Sequence, residues 1–236
     1  MKVEIWSDFV SPLCSAAKQR FENALNKFEQ KDKVKIVWHS VQIDAEMDFV
    51  PSFSLPEYAP ATTGVSVLKR NELIVRTSQI AKEVGLKLKL DNAILYNAII
   101  NNSVDAQRLL HFANEHGLQN ATREKLLTHF RPNGRNAEEL EALVRIAQTV
   151  GLDANEVRTM LLGDKYKQEV QQDQYRSKQA GAMQLPFFLF NDKYTVSGAQ
   201  TTGVYEQLLA KIWEEEKPVV EEFAPFGFCS LEGGCF

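Results

Sequence analysis

The chain has 236 residues, of which 44% are hydrophobic, 25% charged and 10% aromatic, and its formal net charge is −4. These values are typical of globular proteins, and they exclude a collagen-like, low-complexity or disordered acidic chain. The mild acidity argues against nucleic-acid binding, which needs a basic surface. No apolar run is long enough for a membrane span and no signal-peptide core follows Met1. We therefore expect a cytoplasmic protein that binds neither nucleic acid nor membranes.

The first part of the chain predicts a parallel βαβ unit. Alternating apolar residues predict a strand over residues 3–9, and a near-continuous apolar run predicts a second strand over residues 33–41. Between them, apolar residues recur every three or four positions over residues 12–28, which predicts a helix. Ser11 supplies a capping hydroxyl and Pro12 occupies the first turn, so the helix is expected to begin there.

The middle of the chain is predicted to be helical. Helical spacing recurs in successive segments that are expected to end at Gly85, Gly117, Gly151, Gly163 and, for a more polar helix, Ala180. Ser103 and Asp153 are predicted to cap two of these helices, and Asn136 with Glu139 forms a candidate capping box for another. These signals together predict an all-helical segment over residues 44–180.

The strand signal then returns. Residues 186–190 and 194–196 predict two strands joined by a hairpin turn at residues 191–193, and Thr201 or Thr202 is expected to cap a final helix. The order of elements is therefore βαβ, then a helical insertion, then ββα.

That order is the plan of a thioredoxin-like α/β fold with a large all-helical insertion. We predict a thioredoxin-like domain made of residues 1–43 and 181–216, a helical insertion over residues 44–180, and a C-terminal tail over residues 217–236 that carries two cysteines.

The residues that point to chemistry lie where the first strand meets the first helix, in Ser11-Pro12-Leu13-Cys14. A redox enzyme with this plan has cysteine at both ends of such a motif, because the helix N-terminus lowers the pKa of the first thiol. Here the first position is Ser11, whose hydroxyl cannot form a disulfide, so a CxxC cycle cannot run at this site. From these residues alone, a capping serine, a first-turn proline and a buried free Cys14 are the favoured interpretation.

Longer segments of the chain resemble the DsbA-like thioredoxin-fold family and, within it, the cytoplasmic FrnE-type oxidoreductases. The matching segments are residues 5–10, Lys18, Phe21, and residues 104–109, 130–136, 185–190 and 196–200. The resemblance implies a thiol–disulfide oxidoreductase or disulfide isomerase that needs no bound cofactor. Its substrates would be thiol or disulfide peptides or proteins. Whether the chain forms a homodimer is left open.

The resemblance also implies roles for individual residues. Ser11 takes the nucleophile position and Cys14 the resolving position. Pro186 takes the position of a cis proline that faces the substrate, with Leu185 before it. The residues implied to contact substrate are Pro12, Leu13 and Leu185.

Three accounts of Ser11 stay open. In the first account the serine stands in place of a cysteine of the natural protein, and in the second the protein binds thiol peptides without redox turnover. In the third account it works as the kappa-class glutathione transferases and 2-hydroxychromene-2-carboxylate isomerases do. Those proteins are similar in fold and carry serine in a Ser-Pro motif, so Ser11 would support the thiolate of bound glutathione.

Two of the three cysteines, Cys229 and Cys235, lie in the C-terminal tail on either side of a segment with two glycines. The resemblance implies that they form a second redox pair, and two unpaired thiols are the alternative. No histidine accompanies them, so no metal site is predicted. His39 ends the second predicted strand and is expected to be packed or hydrogen-bonded in the core rather than catalytic.

Overall fold

The computed structural model of the chain describes residues 1–9, 11–42, 53–54, 75–76, 78–86, 99–100, 103–130, 140–182 and 184–216. The strands are β1 (Lys2–Trp6), β2 (Lys35–His39), β3 (Phe53–Ser54), β4 (Ile99–Ile100), β5 (Phe187–Phe190) and β6 (Tyr194–Ser197). The helices are α1 (Pro12–Lys27), α2 (Val104–Glu115), α3 (Gln119–Phe130), α4 (Leu140–Thr149), α5 (Ala154–Leu162), α6 (Lys167–Gln179) and α7 (Thr202–Glu216). A 3-10 turn covers Lys31–Lys33, and residues 75–76 and 78–83 are also helical.

The main sheet has the strand order β2-β1-β5-β6. β1 is parallel to β2 and antiparallel to β5, and β5 forms an antiparallel hairpin with β6. In this register Ile5 lies between Trp38 on β2 and Phe188 on β5. β3 and β4 form a separate two-stranded antiparallel pair. The α/β class and the predicted order of the elements of the main sheet are therefore confirmed. The prediction that residues 44–180 are all-helical is wrong, because β3 and β4 pair within this segment, and helix α3 was not predicted.

One face of the sheet is covered by α1 and α7, which pack against each other. The apolar side chains of this face share one core, whose fully buried members include Val3, Ile5, Ala17, Phe21, Phe188, Phe190, Tyr205 and Leu209. Aromatic rings contribute much of it, because Phe21, Phe188 and Tyr205 meet at centroid distances between 5.1 and 5.7 Å. The prediction that the phenylalanines of β5 are core residues is confirmed.

The helices from α2 to α5 enclose a second core, formed by residues such as Leu109, Leu126, Leu143, Ala147 and Val157. Phe9 belongs to this core although it follows β1 in the chain. The first strand was expected to continue to residue 9, but β1 ends at Trp6, and Phe9 leaves the sheet to pack against the helices. The segment between β1 and α1 therefore connects the two cores.

The capping predictions have different outcomes. Asp153 caps α5, since its Oδ1 accepts hydrogen bonds from the N–H groups of Asn155 and Glu156 at 2.8 and 2.9 Å. Ser103 precedes α2 as predicted, but its hydroxyl makes no capping hydrogen bond. Its φ and ψ of −99° and 6° are not the extended values that aim a capping oxygen at the first turn.

The predicted hairpin turn between β5 and β6 is confirmed. Asn191 and Asp192 both have positive φ, 47° and 55°, a conformation that these two residue types tolerate better than most. The Lys193 N–H donates to the Phe190 carbonyl at 2.9 Å and closes the turn.

Some predictions lie outside the described residues, namely the capping box at Asn136 and Glu139, the tail over residues 217–236 and most of the predicted helix before Gly85. The division into domains stays a prediction. Among the helices that the structure describes, none combines the length and the apolar character that a bilayer span requires.

Candidate functional site

The Ser11–Cys14 motif lies at the end of the sheet where β1 gives way to α1. Trp6, the last residue of β1, is paired with Phe187, the first residue of β5, so Pro186 adjoins the same end of the sheet. The Leu185–Pro186 peptide bond is cis, in agreement with the sequence expectation. Leu185 packs against the small cluster that contains Trp6 and Phe187. Tertiary structure thus brings the motif and the Leu185–Pro186 pair to the same end of the sheet.

Ser11 is the N-cap of α1. Its Oγ accepts a hydrogen bond from the Cys14 N–H at 3.3 Å, and its carbonyl accepts from the Ser15 N–H at 3.2 Å. Pro12 follows in the first turn, where a missing N–H has no cost. The hydroxyl is buried, with 7% of the residue exposed, and lies at the positive end of a 16-residue helix. Such a position stabilises an anion, including a thiolate, placed beside it.

Cys14 lies one turn inside α1 and is a free thiol with 1% exposure. Burial raises the pKa of the Cys14 thiol to about 11, and hydrogen bonds to Ser11 and to the Asp8 backbone oppose this rise only in part. The thiol is therefore protonated at neutral pH. The expected burial of Cys14 beneath the Ser11 position is confirmed, and Leu13 between them is half-buried.

Arg123 on α3 lies against the same junction, and sequence reasoning missed it. Its guanidinium carbon is 4.2 Å from the centroid of the Trp38 ring and 5.4 Å from that of Phe9, which precedes Ser11 by two residues. Arg123 is 2% exposed, and its Nε and Nη2 have no hydrogen-bond partner within the described part of the chain. Burial lowers the pKa of Arg123 to about 9, although the charge of the neighbouring Glu124 acts to raise it, so the side chain is a cation at neutral pH.

A second group of charged side chains, which we term the ionic cluster, consists of Glu4, His39, His111 and Asp173. His39 Nε2 is 2.8 Å from Glu4 Oε1, and its Nδ1 is 2.9 Å from Asp173 Oδ1. His111 Nε2 is 3.4 Å from Asp173 Oδ2. Because carboxylates only accept, a doubly protonated His39 ring satisfies both contacts at once. The cluster joins β1 and β2 to α2 and α6.

Neighbouring groups complete the ionic cluster. Trp6 stacks on His39 at a centroid distance of 4.5 Å and donates its indole N–H to the Asp173 backbone carbonyl at 3.0 Å. The Ser40 N–H donates to Asp173 Oδ2 at 2.8 Å. Lys2 Nζ lies 2.7 Å from Glu4 Oε2, so each carboxylate of the cluster has several partners.

The partners decide the carboxylate pKa values. Burial by itself raises the pKa of Asp173, but hydrogen bonds from His111, His39 and the Ser40 N–H outweigh it and hold that pKa below its usual range. In Glu4, burial is likewise outweighed by Lys2 and His39, and the pKa is lowered. His39 was expected to be a hydrogen-bonded core residue, which is confirmed. Its partner Asp173 carries no local sequence signal, since it lies in a polar stretch 134 residues away.

The tail cysteines Cys229 and Cys235 lie outside the described residues, so their pairing stays a prediction. Across the part of the chain that the structure describes, no three His, Cys, Asp or Glu side chains converge as metal ligands.

Comparison with known proteins agrees with this fold. The chain superposes over its full length on 98% of a probable DsbA oxidoreductase from Streptomyces coelicolor, with a TM-score of 0.82 and 31% identity. Two further structures show the same fold at lower identity. 2-Hydroxychromene-2-carboxylate isomerase has a TM-score of 0.62 and 16% identity, with 91% of this chain and 97% of that chain covered.

The other is the cytosolic disulfide reductase DsbM from Pseudomonas aeruginosa with GSH, which has a TM-score of 0.62 and 14% identity, with 91% of this chain and 100% of that chain covered. The profile of the DSBA-like thioredoxin domain matches residues 2–210. The protein therefore belongs to the DSBA-like thioredoxin domain family.

Proposed function

We propose that the protein is a cytoplasmic member of the thiol–disulfide oxidoreductase and disulfide isomerase branch of its family. It handles extended thiol or disulfide peptides at the Ser11–Cys14 motif, with Leu185 and Pro186 beside the substrate. As the chain stands, this motif does not perform a dithiol–disulfide cycle, because Ser11 cannot form the mixed disulfide with which such a cycle begins. The family membership and the fold support the class of reaction.

The observation that carries the proposal is the position of Ser11. Its oxygen is at the N-terminus of α1, and Cys14 lies buried one turn behind it. A thiol at position 11 would have its pKa lowered by the helix N-terminus, whereas burial raises the pKa of Cys14. The two positions of the motif thus have the unequal environments that an attacking thiol and a resolving thiol need.

The test is the change Ser11→Cys. The new thiolate should attack a substrate disulfide, and Cys14 should then displace the substrate thiol, so that two protein thiols become a disulfide and the substrate disulfide becomes two thiols. Reduction of insulin by dithiothreitol should be accelerated by Ser11→Cys and not by the unchanged protein. Both proteins should carry Cys229→Ser and Cys235→Ser, which removes the tail thiols from the assay, and Ser11→Cys with Cys14→Ala serves as the matched control. Equal rates for all three proteins would refute the proposed function.

Glutathione is a second candidate ligand. The fold is shared with a structure of DsbM with GSH and with 2-hydroxychromene-2-carboxylate isomerase. The Ser11 hydroxyl at the helix N-terminus is placed to donate a hydrogen bond to a bound thiolate. In this alternative the protein is a glutathione-dependent transferase or isomerase.

Thermal unfolding with glutathione separates the two candidates. A ligand that binds only the folded protein stabilises it by about 2.7 kcal/mol at a hundredfold excess over its Kd. If glutathione is the cosubstrate, the midpoint should rise at millimolar glutathione and conjugating activity should fall in Ser11→Ala. An unchanged midpoint would exclude the transferase alternative.

A further inference from the structure

Arg123 differs from the other buried arginines in the described part of the chain, Arg20 and Arg108. Arg108 donates to the carboxylate of Asp105 and to the carbonyls of Met160, Leu161, Gly163 and Lys165. Arg20 donates to the carbonyls of Ala199 and Gln200 and pairs with Glu83. Arg123 has two aromatic rings beside it, but its Nε and Nη2 are without an acceptor among the described residues.

The nearest acidic side chain in sequence does not fill this gap. Glu124 points to α1, where its Oε1 lies 2.7 Å from Lys18 Nζ. A buried guanidinium without a hydrogen-bonded partner is unfavourable, and cation–π contacts with Trp38 and Phe9 offset only part of that cost. Two donors of Arg123 are therefore without an acceptor among the described residues and are available to an anion.

The position of Arg123 indicates where that anion would lie. The guanidinium contacts Phe9, two residues before the N-cap Ser11, and α1 begins directly after it. An anion between them would receive hydrogen bonds from a planar, charged donor and the favourable end of the α1 dipole.

We propose that Arg123 and the N-terminus of α1 form an anion-binding site for the carboxylate of a small thiol ligand. The Nε and Nη2 donors of Arg123 form a planar fork that binds the two oxygens of a carboxylate with parallel hydrogen bonds. The burial of Ser11 and Arg123 restricts the ligand to a small one. That the ligand carries a thiol rests on the proposed function, whereas the anion site itself does not.

The first experiment uses two alkylating reagents of similar size, the anionic iodoacetate and the neutral iodoacetamide. In protein with Cys229→Ser and Cys235→Ser, only Cys14 can react. The ratio of the two rates cancels the thiolate fraction and reports the local charge. The ratio of the labelling rate with iodoacetate to that with iodoacetamide should be about tenfold higher in the native protein than in urea-unfolded protein. The reason is that a nearby buried cation attracts the anionic reagent.

Arg123→Met should return that ratio to the unfolded value. Arg158→Met is the matched control, since it removes the same charge from an exposed ion pair with Glu141 on the helical part. It should leave the ratio unchanged. A native ratio equal to the unfolded one, or a ratio that survives Arg123→Met, would overturn the proposal.

The second experiment asks whether Arg123 already has a partner within the protein. If the partner of Arg123 is an external ligand, Arg123→Met replaces an unpaired buried cation with an apolar side chain. The midpoint of thermal unfolding without ligand should then rise by about 2–4 °C. A lower midpoint, or a variant that does not fold, would show that the chain itself satisfies Arg123 and would refute the site. Arg123→Lys keeps the charge and should retain part of the reagent ratio.

The third experiment tests the ligand class with N-acetylcysteine and its amide, which differ only in the carboxylate. The acid should raise the midpoint more than the amide in the unchanged protein, and the difference should vanish in Arg123→Met. Equal shifts from both compounds would overturn the carboxylate assignment. These readouts need no redox turnover, so failure of the Ser11→Cys assay refutes the proposed function alone, and an absent reagent ratio refutes the anion site alone.

Discussion

Two groups of buried polar side chains flank β1, and they differ in how their charges are satisfied. In the ionic cluster, His39 bridges Glu4 and Asp173, and each carboxylate has further donors. At the junction with α1, two donors of Arg123 have no acceptor among the residues that the structure describes, and Cys14 is a buried thiol. A fully paired cluster holds elements together, whereas an incompletely paired group at a helix N-terminus is what a ligand site requires. On this comparison the ionic cluster has a structural role, and the junction with α1 is the place for which a ligand is proposed.

The largest expected effect on stability comes from a substitution that breaks the ionic cluster. Asp173→Ala should lower the free energy of unfolding by about 3–5 kcal/mol, because it leaves His39 buried without one of its two carboxylates. Urea denaturation measures this value. Glu141→Ala, which removes an exposed partner of Arg158, is the control and should cost much less. Similar losses for the two variants would show that the cluster has no special structural role.

The dependence of the unfolding free energy on pH in the acid range tests the same cluster. The pKa of Asp173 is lower in the folded protein than its ordinary value of 3.8. Its contribution to stability is therefore fully present above that value and is lost as the pH falls through the lower folded pKa. Asp173→Asn should flatten the loss of unfolding free energy below about pH 4. Parallel profiles for the unchanged protein and Asp173→Asn would contradict the assignment.

The reactivity of Cys14 tests the other group of the comparison, at the junction with α1. Burial raises the Cys14 pKa from 9.0 to about 11, so at a fixed pH below both values the native thiolate fraction is lower by about 100-fold. Iodoacetamide should label Cys14 at least that much more slowly in native protein than in urea, as measured by mass spectrometry of the peptides. Labelling of Cys14 before Cys229 and Cys235 would contradict its burial and would make Cys14, not position 11, the nucleophile.

The smallest expected effect concerns Ser11 as a cap. Ser11→Ala removes the acceptor of the Cys14 N–H and should lower the free energy of unfolding by about 1 kcal/mol, and Ser11→Gly by a few tenths. Ser103→Ala is the matched control, because the buried Ser103 hydroxyl makes no capping bond and its loss should be close to neutral. A loss for Ser11→Ala no larger than for Ser103→Ala would show that the Ser11 hydroxyl is not structural and is retained for chemistry.

Much of the fold was predictable because its signals are local. Helix α1 begins where Ser11 and Pro12 predict, Asp153 caps α5, and the β5–β6 hairpin turns at residues 191–193. Each of these depends on residues within a few positions of one another. The end of β1 was not predictable in this way, since Phe9 looks like a strand residue in sequence and leaves the sheet only because the helical core accepts its ring.

By itself, the sequence determined the order of elements in the main sheet, the α/β class and the motif Ser11-Pro12-Leu13-Cys14, because spacing and capping chemistry are properties of neighbouring residues. It missed β3, β4 and α3. Tertiary structure alone decided the partners of His39 and the neighbours of Arg123. Asp173 reaches His39 across 134 residues of chain, and Arg123 meets Phe9 and Trp38 from a separate helix. Local patterns carry no information about such contacts, since they arise only when the helical segment docks on the sheet and removes the charges from water.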